Sequence, residues 1–290
     1  MTHMAARYAF NLAQNRFDSH VIKAFADPKV SRHSRDALIA QLREGKWDHA
    51  LLNRLEGFRD MSPAARHKAA LNVIDFYFEP IVLRGMTEEQ VQTYFHDVRR
   101  TIRIESADDF PRNRPLWIDT VHHACVFSVV YDLLVHLRKH KGLRKVVLVH
   151  NGQRPEPRLG FMANLLGKTH GLEYGFIQLN GNWFSKLAGF MTPNTAVIYM
   201  TDLPPQTTRR TAPKERLKPL LRLTSGPSMS IEIETISGSH AFAKRLGADH
   251  FVIEFPNRDH LRLRRFDPET PNNTCPVEDW VFWPLLKVGQ

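Results

Sequence analysis

Leu116-Trp-Ile118, Lys145-Val-Val-Leu-Val149, Tyr174-Gly-Phe-Ile-Gln178, Ala196-Val-Ile-Tyr-Met200 and Phe251-Val-Ile-Glu-Phe255 are short runs rich in β-branched and aromatic residues, the composition of strands buried on both faces. Stretches with helical spacing separate them: Ala124 to His140, Arg158 to His170, Trp183 to Phe190 and His240 to Leu246. Strand and helix in alternation predict an α/β fold, a mostly parallel sheet covered by helices. In such sheets ligands collect at the carboxyl ends of the strands, so the loops that follow these runs are where chemistry is expected.

Ahead of this pattern, residues 1–104 read as a helical N-terminal region, leaving 105–290 as the α/β core of one compact unit. Apolar residues recur there at three- and four-residue steps between glycines. Ser62-Pro63 supplies a cap followed by proline at the first helical position, opening a helix through Ala70, Leu71, Ile74 and Phe78. Pro80 is expected to kink or end it. Thr87-Glu-Glu-Gln90 has the spacing of a capping box, so another helix begins there.

The 290 residues are 42% hydrophobic and 24% charged, an ordinary globular balance. No apolar run reaches the roughly 18 residues that a bilayer crossing needs, and the first residues lack a signal-peptide layout. With only Cys125 and Cys275, 150 positions apart, the expected home is the cytoplasm. Forty Lys plus Arg against thirty Asp plus Glu leave a net charge of +10, which favours anionic partners. Arg138, Lys139, Lys141, Arg144, Lys145 and Arg154 lie in a stretch without acids, and Arg209, Arg210, Lys214, Arg216, Lys218 and Arg222 form a second cluster. Each cluster is either a solvated face or a docking surface.

Dinucleotide, P-loop, zincin and nucleophile-elbow signatures are absent. Attention therefore falls on Asp119-Thr-Val-His122-His123-Ala-Cys125-Val-Phe-Ser128-Val-Val-Tyr-Asp132, where a strand gives way to a helix at two histidines. A histidine there is suited to removing a proton near neutrality, and His123 is the candidate base. The alternative is that one histidine packs while the other faces solvent. Cys125, beside Val126 and Phe127, reads as a small core residue. Adjacent histidines on a helix diverge by roughly 100°, so no metal site is expected from His122, His123 and Asp132. Asn180-Gly-Asn182-Trp183 offers either turn amides and an aromatic pocket wall or a plain packed turn. Ser237-Gly-Ser239-His240 offers either an anion cradle or ordinary capping.

In their order along the chain, Ala70–Phe78, Arg103–Phe110, His123, Leu187–Phe190, Val197–Leu203 and Ser237–Gly247 resemble the blocks of the lysophospholipid and lipid A biosynthesis acyltransferase superfamily, over residues 65–265. Its members carry His-x4-Asp/Glu at a strand-to-helix junction. The resemblance implies transfer of an acyl group, or by extension an aminoacyl group, from a carrier-bound thioester to a hydroxyl or amine acceptor, without a cofactor. It implies His123 as base, with His122, Ser128, Asn182, Trp183, Ser239 and His240 toward the substrate. An acyl carrier protein or other acidic thioester carrier would dock on Arg138, Lys139, Arg209 and Arg210. Lipid A acyltransferases carry an amino-terminal membrane segment that this sequence lacks, which implies a soluble acceptor or peripheral contact with phospholipid at the inner membrane surface. This sequence departs from the motif: five residues past His123 stands Ser128, and five past His122 stands Phe127. Asp119, Asp132 and Asp202 are the candidates for the missing acid, Asp132 and Asp202 foremost. A second reading, from a different class, is a noncatalytic or RNA- or tRNA-binding protein that uses the basic face.

Overall fold

The computed structural model describes residues 6–8, 36–37, 40, 62–101, 103–106, 110, 112–124, 126–150, 157–202, 220–225, 229–234, 238–257, 260–270, 273–281 and 286–288. The described elements are β1 (Ala6–Tyr8), α1 (Pro63–Arg84), α2 (Glu88–Thr101), β2 (Arg103–Ser106), β3 (Leu116–Thr120), α3 (Val126–Lys141) and β4 (Lys145–His150). After them come α4 (Pro157–His170), β5 (Glu173–Gln178), α5 (Trp183–Phe190), β6 (Thr195–Met200), β7 (Leu220–Ser225), β8 (Met229–Glu234) and α6 (Ser239–Arg245). The chain then forms β9 (Asp249–Asn257), β10 (His260–Arg265), β11 (Asn273–Pro276), a 3₁₀ turn (Val277–Asp279) and β12 (Leu286–Val288).

Among the described residues, seven strands form the central sheet in the order β2-β10-β9-β3-β6-β4-β5. The pairs β3/β9, β3/β6, β4/β6, β4/β5 and β2/β10 are parallel, while β9/β10 is antiparallel, so the molecule is an α/β protein with a mostly parallel sheet. All five residues of β3 are buried, as a central strand between two helical layers requires. Alternate side chains serve different layers. Leu116, Ile118, Leu148, Ile198 and Phe251 pack on one face with α1–α4. Trp117, Val147, Val149, Val197 and Tyr199 pack on the other with α5 and α6. Each such buried side chain contributes about 1.5–3 kcal/mol. Gly175 lets β5 pass beneath Phe190, whose ring would lie 3.1 Å from an added Cβ.

The first helix starts as its caps dictate, with the Ala65 amide donating to Ser62 Oγ at 3.2 Å. It then runs through Pro80 and stops at Arg84 rather than at the proline. The buried stripe of Ala69, Ala70, Val73, Ile74, Phe76 and Leu83 holds both sides of that residue against the core, which offsets the lost hydrogen bond. The capping box ahead of α2 is formed: Thr87 N–H donates to Gln90 Oε1 at 2.9 Å and Gln90 N–H to Thr87 Oγ1 at 3.3 Å. The region expected to be helical also contains a strand, β1, paired antiparallel with β12 at the opposite end of the chain. Most of residues 1–61, Cys125 and the basic loop with Arg209 and Arg210 lie outside the described residues. A three-stranded sheet, β11-β7-β8, completes the described architecture. No helix among the described residues is long and apolar enough to cross a membrane.

Candidate functional site

Register builds the site. In the β3/β6 pair Thr120 lies opposite Met200, and the pairing continues one step as the Thr201 amide donates to the Thr120 carbonyl at 2.9 Å. Two residues past each strand end, His122 therefore meets Asp202 at the carboxyl rim of the sheet. Asp202 Oδ1 lies 2.7 Å from His122 Nδ1, and Oδ2 accepts the His122 backbone N–H at 2.7 Å. Oδ2 also accepts Trp280 Nε1–H at 2.7 Å. Three donors thus hold a carboxylate that is 0% exposed, as a buried charge requires. The His122 side chain retains 16% exposure. Nδ1 of His122 is thus the ring nitrogen turned to Asp202.

The partner of Asp202 is His122, and its neighbour does something else. His123 is 0% exposed and its ring lies flat on Phe255, with centroids 4.1 Å apart and planes at 7°. The segment around Trp280 stitches both histidines in place: His123 bridges Trp280, the Val281 amide donates to the His122 carbonyl at 3.0 Å, and the Ala124 amide donates to the Asp279 carbonyl at 2.7 Å. Trp280 and Val281 are core residues. Asp279 Oδ1 accepts Asn72 Nδ2–H at 2.8 Å and lies 3.2 Å from Lys68 Nζ, so α1 clamps the same segment. Cys275 is buried beside these groups; burial, then the charges of Asp279 and Asp202, push its thiol pKa well up and keep it protonated.

Ser128, where the resemblance calls for an acid, donates its hydroxyl to a carboxylate from another helix, Glu79 Oε1 on α1. Tyr94 Oη–H donates to the same oxygen at 2.6 Å. Asp132 is buried further along α3, where its charge acts on His136. Asp119 points to the opposite face of the sheet. Its Oδ1 accepts Trp117 Nε1–H at 2.8 Å, while its Oδ2 accepts Ser239 Oγ–H at 2.7 Å and lies 2.8 Å from His250 Nε2. His240 Nδ1 lies 3.4 Å from His250 Nδ1, and both rings stack on Phe266. Burial and the neighbouring His250 and Lys244 hold His240 below the usual histidine pKa, with Asp119 opposing them. Trp183 packs edge-on against Phe242 on this second face, and Asn182 caps α5 by position without a side-chain bond. Arg138 and Lys139 are exposed in the last turn of α3, whose 16 residues span about 24 Å from the rim where His122 sits.

A small apolar slot of about 30 Å³ lies between α3 and α4, lined by Phe127, Met200, Ile198, Leu148, Leu134 and Tyr174 among others. Phe127 stacks on Phe76 at 5.4 Å, and Phe76 meets the His122 ring edge-on at 6.0 Å, so two ring contacts link the slot's lining to the histidine. Among the described residues no group of three or more histidine, cysteine or acidic side chains is arranged to hold a metal ion. No protein-family model matches this chain, and no curated protein matches it.

Proposed function

We propose that the chain transfers an acyl or aminoacyl group from a carrier-bound thioester to a hydroxyl or amine acceptor, with His122 as general base. One observation carries the reading: a histidine oriented by a fully buried aspartate through both its ring and its backbone, at the carboxyl rim of the sheet. His122 faces Asp202 and retains exposure, whereas His123 is fully buried. In the reaction the acceptor's hydroxyl or amine gives its proton to His122 Nε2 as its oxygen or nitrogen bonds to the thioester carbonyl carbon. Asp202, accepting a hydrogen bond from Nδ1–H and keeping its charge, stabilises the imidazolium that forms. The carbonyl oxygen carries the resulting negative charge, close to the positive end of α3, which begins four residues after His122. As the carbon–sulfur bond breaks, the proton passes from His122 to the departing thiolate, and the base is restored.

A net charge of +10 suits an acidic carrier, and the same charge suits a peripheral approach to anionic phospholipid from the cytoplasm. The test is intact-mass detection of transfer from a panel of loaded carrier proteins to amine, hydroxyl and lipid acceptors, using wild type, His122→Ala and His123→Ala. Transfer lost in His122→Ala supports the assignment. Absence of transfer by the folded wild type with every donor would overturn it. The basic end of α3, with Arg138, Lys139 and His140 all exposed, supports the second reading, nucleic-acid binding. Under that reading affinity falls steeply with salt and is indifferent to His122→Ala.

A further inference from the structure

On the face of the sheet that carries α5 and α6, Asp119, His250 and His240 form a row that acyl transfer does not use. Asp119 sits near the end of β3, His250 lies on neighbouring β9 opposite Trp117, and His240 stands in the first turn of α6. Asp119 and His250 are buried, while His240 is half-buried. The carboxylate accepts Trp117 Nε1–H at 2.8 Å and Ser239 Oγ–H at 2.7 Å, and its Oδ2 lies 2.8 Å from His250 Nε2. A carboxylate can only accept, so Nε2 carries the hydrogen in that contact and His250 Nδ1 is left with its lone pair. That nitrogen faces His240 Nδ1 across 3.4 Å.

The separation of the two nitrogens bears on what joins them. Hydrogen bonds donated by N–H are ordinarily about 2.7–3.2 Å long, so 3.4 Å is slack for a direct bond between the rings. Two nitrogens bound to one tetrahedral Zn²⁺ at about 2.0–2.1 Å lie about 3.3–3.4 Å apart. The rings are held at 26° to one another, and both stack on Phe266, with centroids 4.7 and 4.3 Å from it. Metal-binding histidines commonly give their other ring N–H to a carboxylate, which fixes the tautomer and raises the basicity of the ligating nitrogen. Asp119 stands in that place behind His250, and Trp117 and Ser239 fix Asp119 in turn.

We propose that Zn²⁺ binds between His240 Nδ1 and His250 Nδ1, with Asp119 orienting His250 and water completing the tetrahedron. Imidazole nitrogen is a suitable ligand for that ion. The ion joins α6 to β9, two elements otherwise held together here by Ser239 and the packing of their side chains. With two protein ligands, where a closed structural site has four, the ion is exchangeable and its water positions are open to a further ligand.

Calorimetric titration of the chelator-treated full chain with zinc chloride at neutral pH tests this, in wild type, His240→Gln, His250→Gln and Asp119→Asn. Wild type is expected to bind the ion and to show a Tm that rises with zinc concentration. Both histidine variants are expected to lose that binding, and Asp119→Asn to weaken it by about 10- to 100-fold. His240 is half-buried, so His240→Gln, its fold checked by the Tm without zinc, keeps the test decisive if His250→Gln does not fold. Failure of wild type to bind zinc overturns the proposal and leaves the two rings as a hydrogen-bonded pair. Undiminished binding by folded His240→Gln also overturns it, since the ion would then sit on other histidines of the chain.

Discussion

At the scale of single residues, Asp202 decides the state of the site. Its Oδ2 accepts the His122 backbone N–H and Trp280 Nε1–H while its Oδ1 faces His122 Nδ1, which fixes the orientation of the ring. In Asp202→Asn the carboxamide NH₂ can face Nδ1 only if that nitrogen becomes an acceptor, which moves the ring proton to Nε2 and removes the base. Transfer is expected to fall by about two to four orders of magnitude, measured as single-turnover rate on a loaded carrier. Trp280→Phe removes one donor while keeping the buried ring, and about a tenfold loss is expected. His123→Ala belongs to a different category, because that side chain is packed on Phe255. Its expected cost is about 2–3 kcal/mol of stability, with the rate per folded molecule preserved. The double histidine at a strand end and the acid after the β6 strand are both visible in the sequence. Which histidine meets the acid is not, because strand periodicity lapses after Thr120 and only the Thr120–Met200 register decides it. Trp280 and Glu79 come from elements far away in the chain, and no local pattern announces either.

Among elements, α1 and the segment from Asn273 to Val281 act as one support beneath the rim. Asn72, 1% exposed, donates to Asp279 Oδ1 and to the Glu278 carbonyl, both at 2.8 Å, and Asp279 in turn accepts the Ala124 amide through its carbonyl. Asn72→Ala leaves a buried carboxylate and a carbonyl short of a donor. Its expected cost is about 2–3 kcal/mol, read as a lowered urea midpoint at unchanged slope. A companion loss of transfer is expected, because the same segment carries Trp280 to Asp202. The five central strands are legible in the sequence, since burial on both faces turns them into short apolar runs flanked by helical spacing. β10 is harder to read: Leu261 and Leu263 are buried, but the arginines that alternate with them make His260–Arg265 look like a charged loop. The β11-β7-β8 sheet escapes the same reading because its middle strand lies directly beyond the basic, proline-bearing stretch, where composition argues for a loop.

On the scale of the whole molecule, the histidines held below their usual pKa give the fold a pH dependence of definite sign. His136 is lowered by burial and then by His140, whose ring is 4.3 Å away, and by Lys139, against the opposing charge of Asp132. His240 is lowered on the opposite face of the sheet by burial, His250 and Lys244, against Asp119. Unfolded, each takes up a proton near 6.5; folded, each resists until lower pH. Below about 6.5 the unfolded chain therefore binds more protons, and stability falls as pH drops through that value toward the folded pKa values. The exposed carboxyls of Glu105 and Asp267 are lowered chiefly by Arg262 and by the Glu269 amide. Their contribution is lost only beneath their unfolded values of 4.5 and 3.8, which leaves the upper window to the histidines. Urea midpoints of wild type are thus expected to decline from pH 7.5 to pH 5.5, and His136→Gln with His240→Gln to flatten that decline. The two sites lie on different faces and share none of the neighbours named above, so their effects should add. A wild-type midpoint that rises as pH falls from 7.5 to 6 would show that protonated partners, rather than buried neutral histidines, govern the stability of this fold.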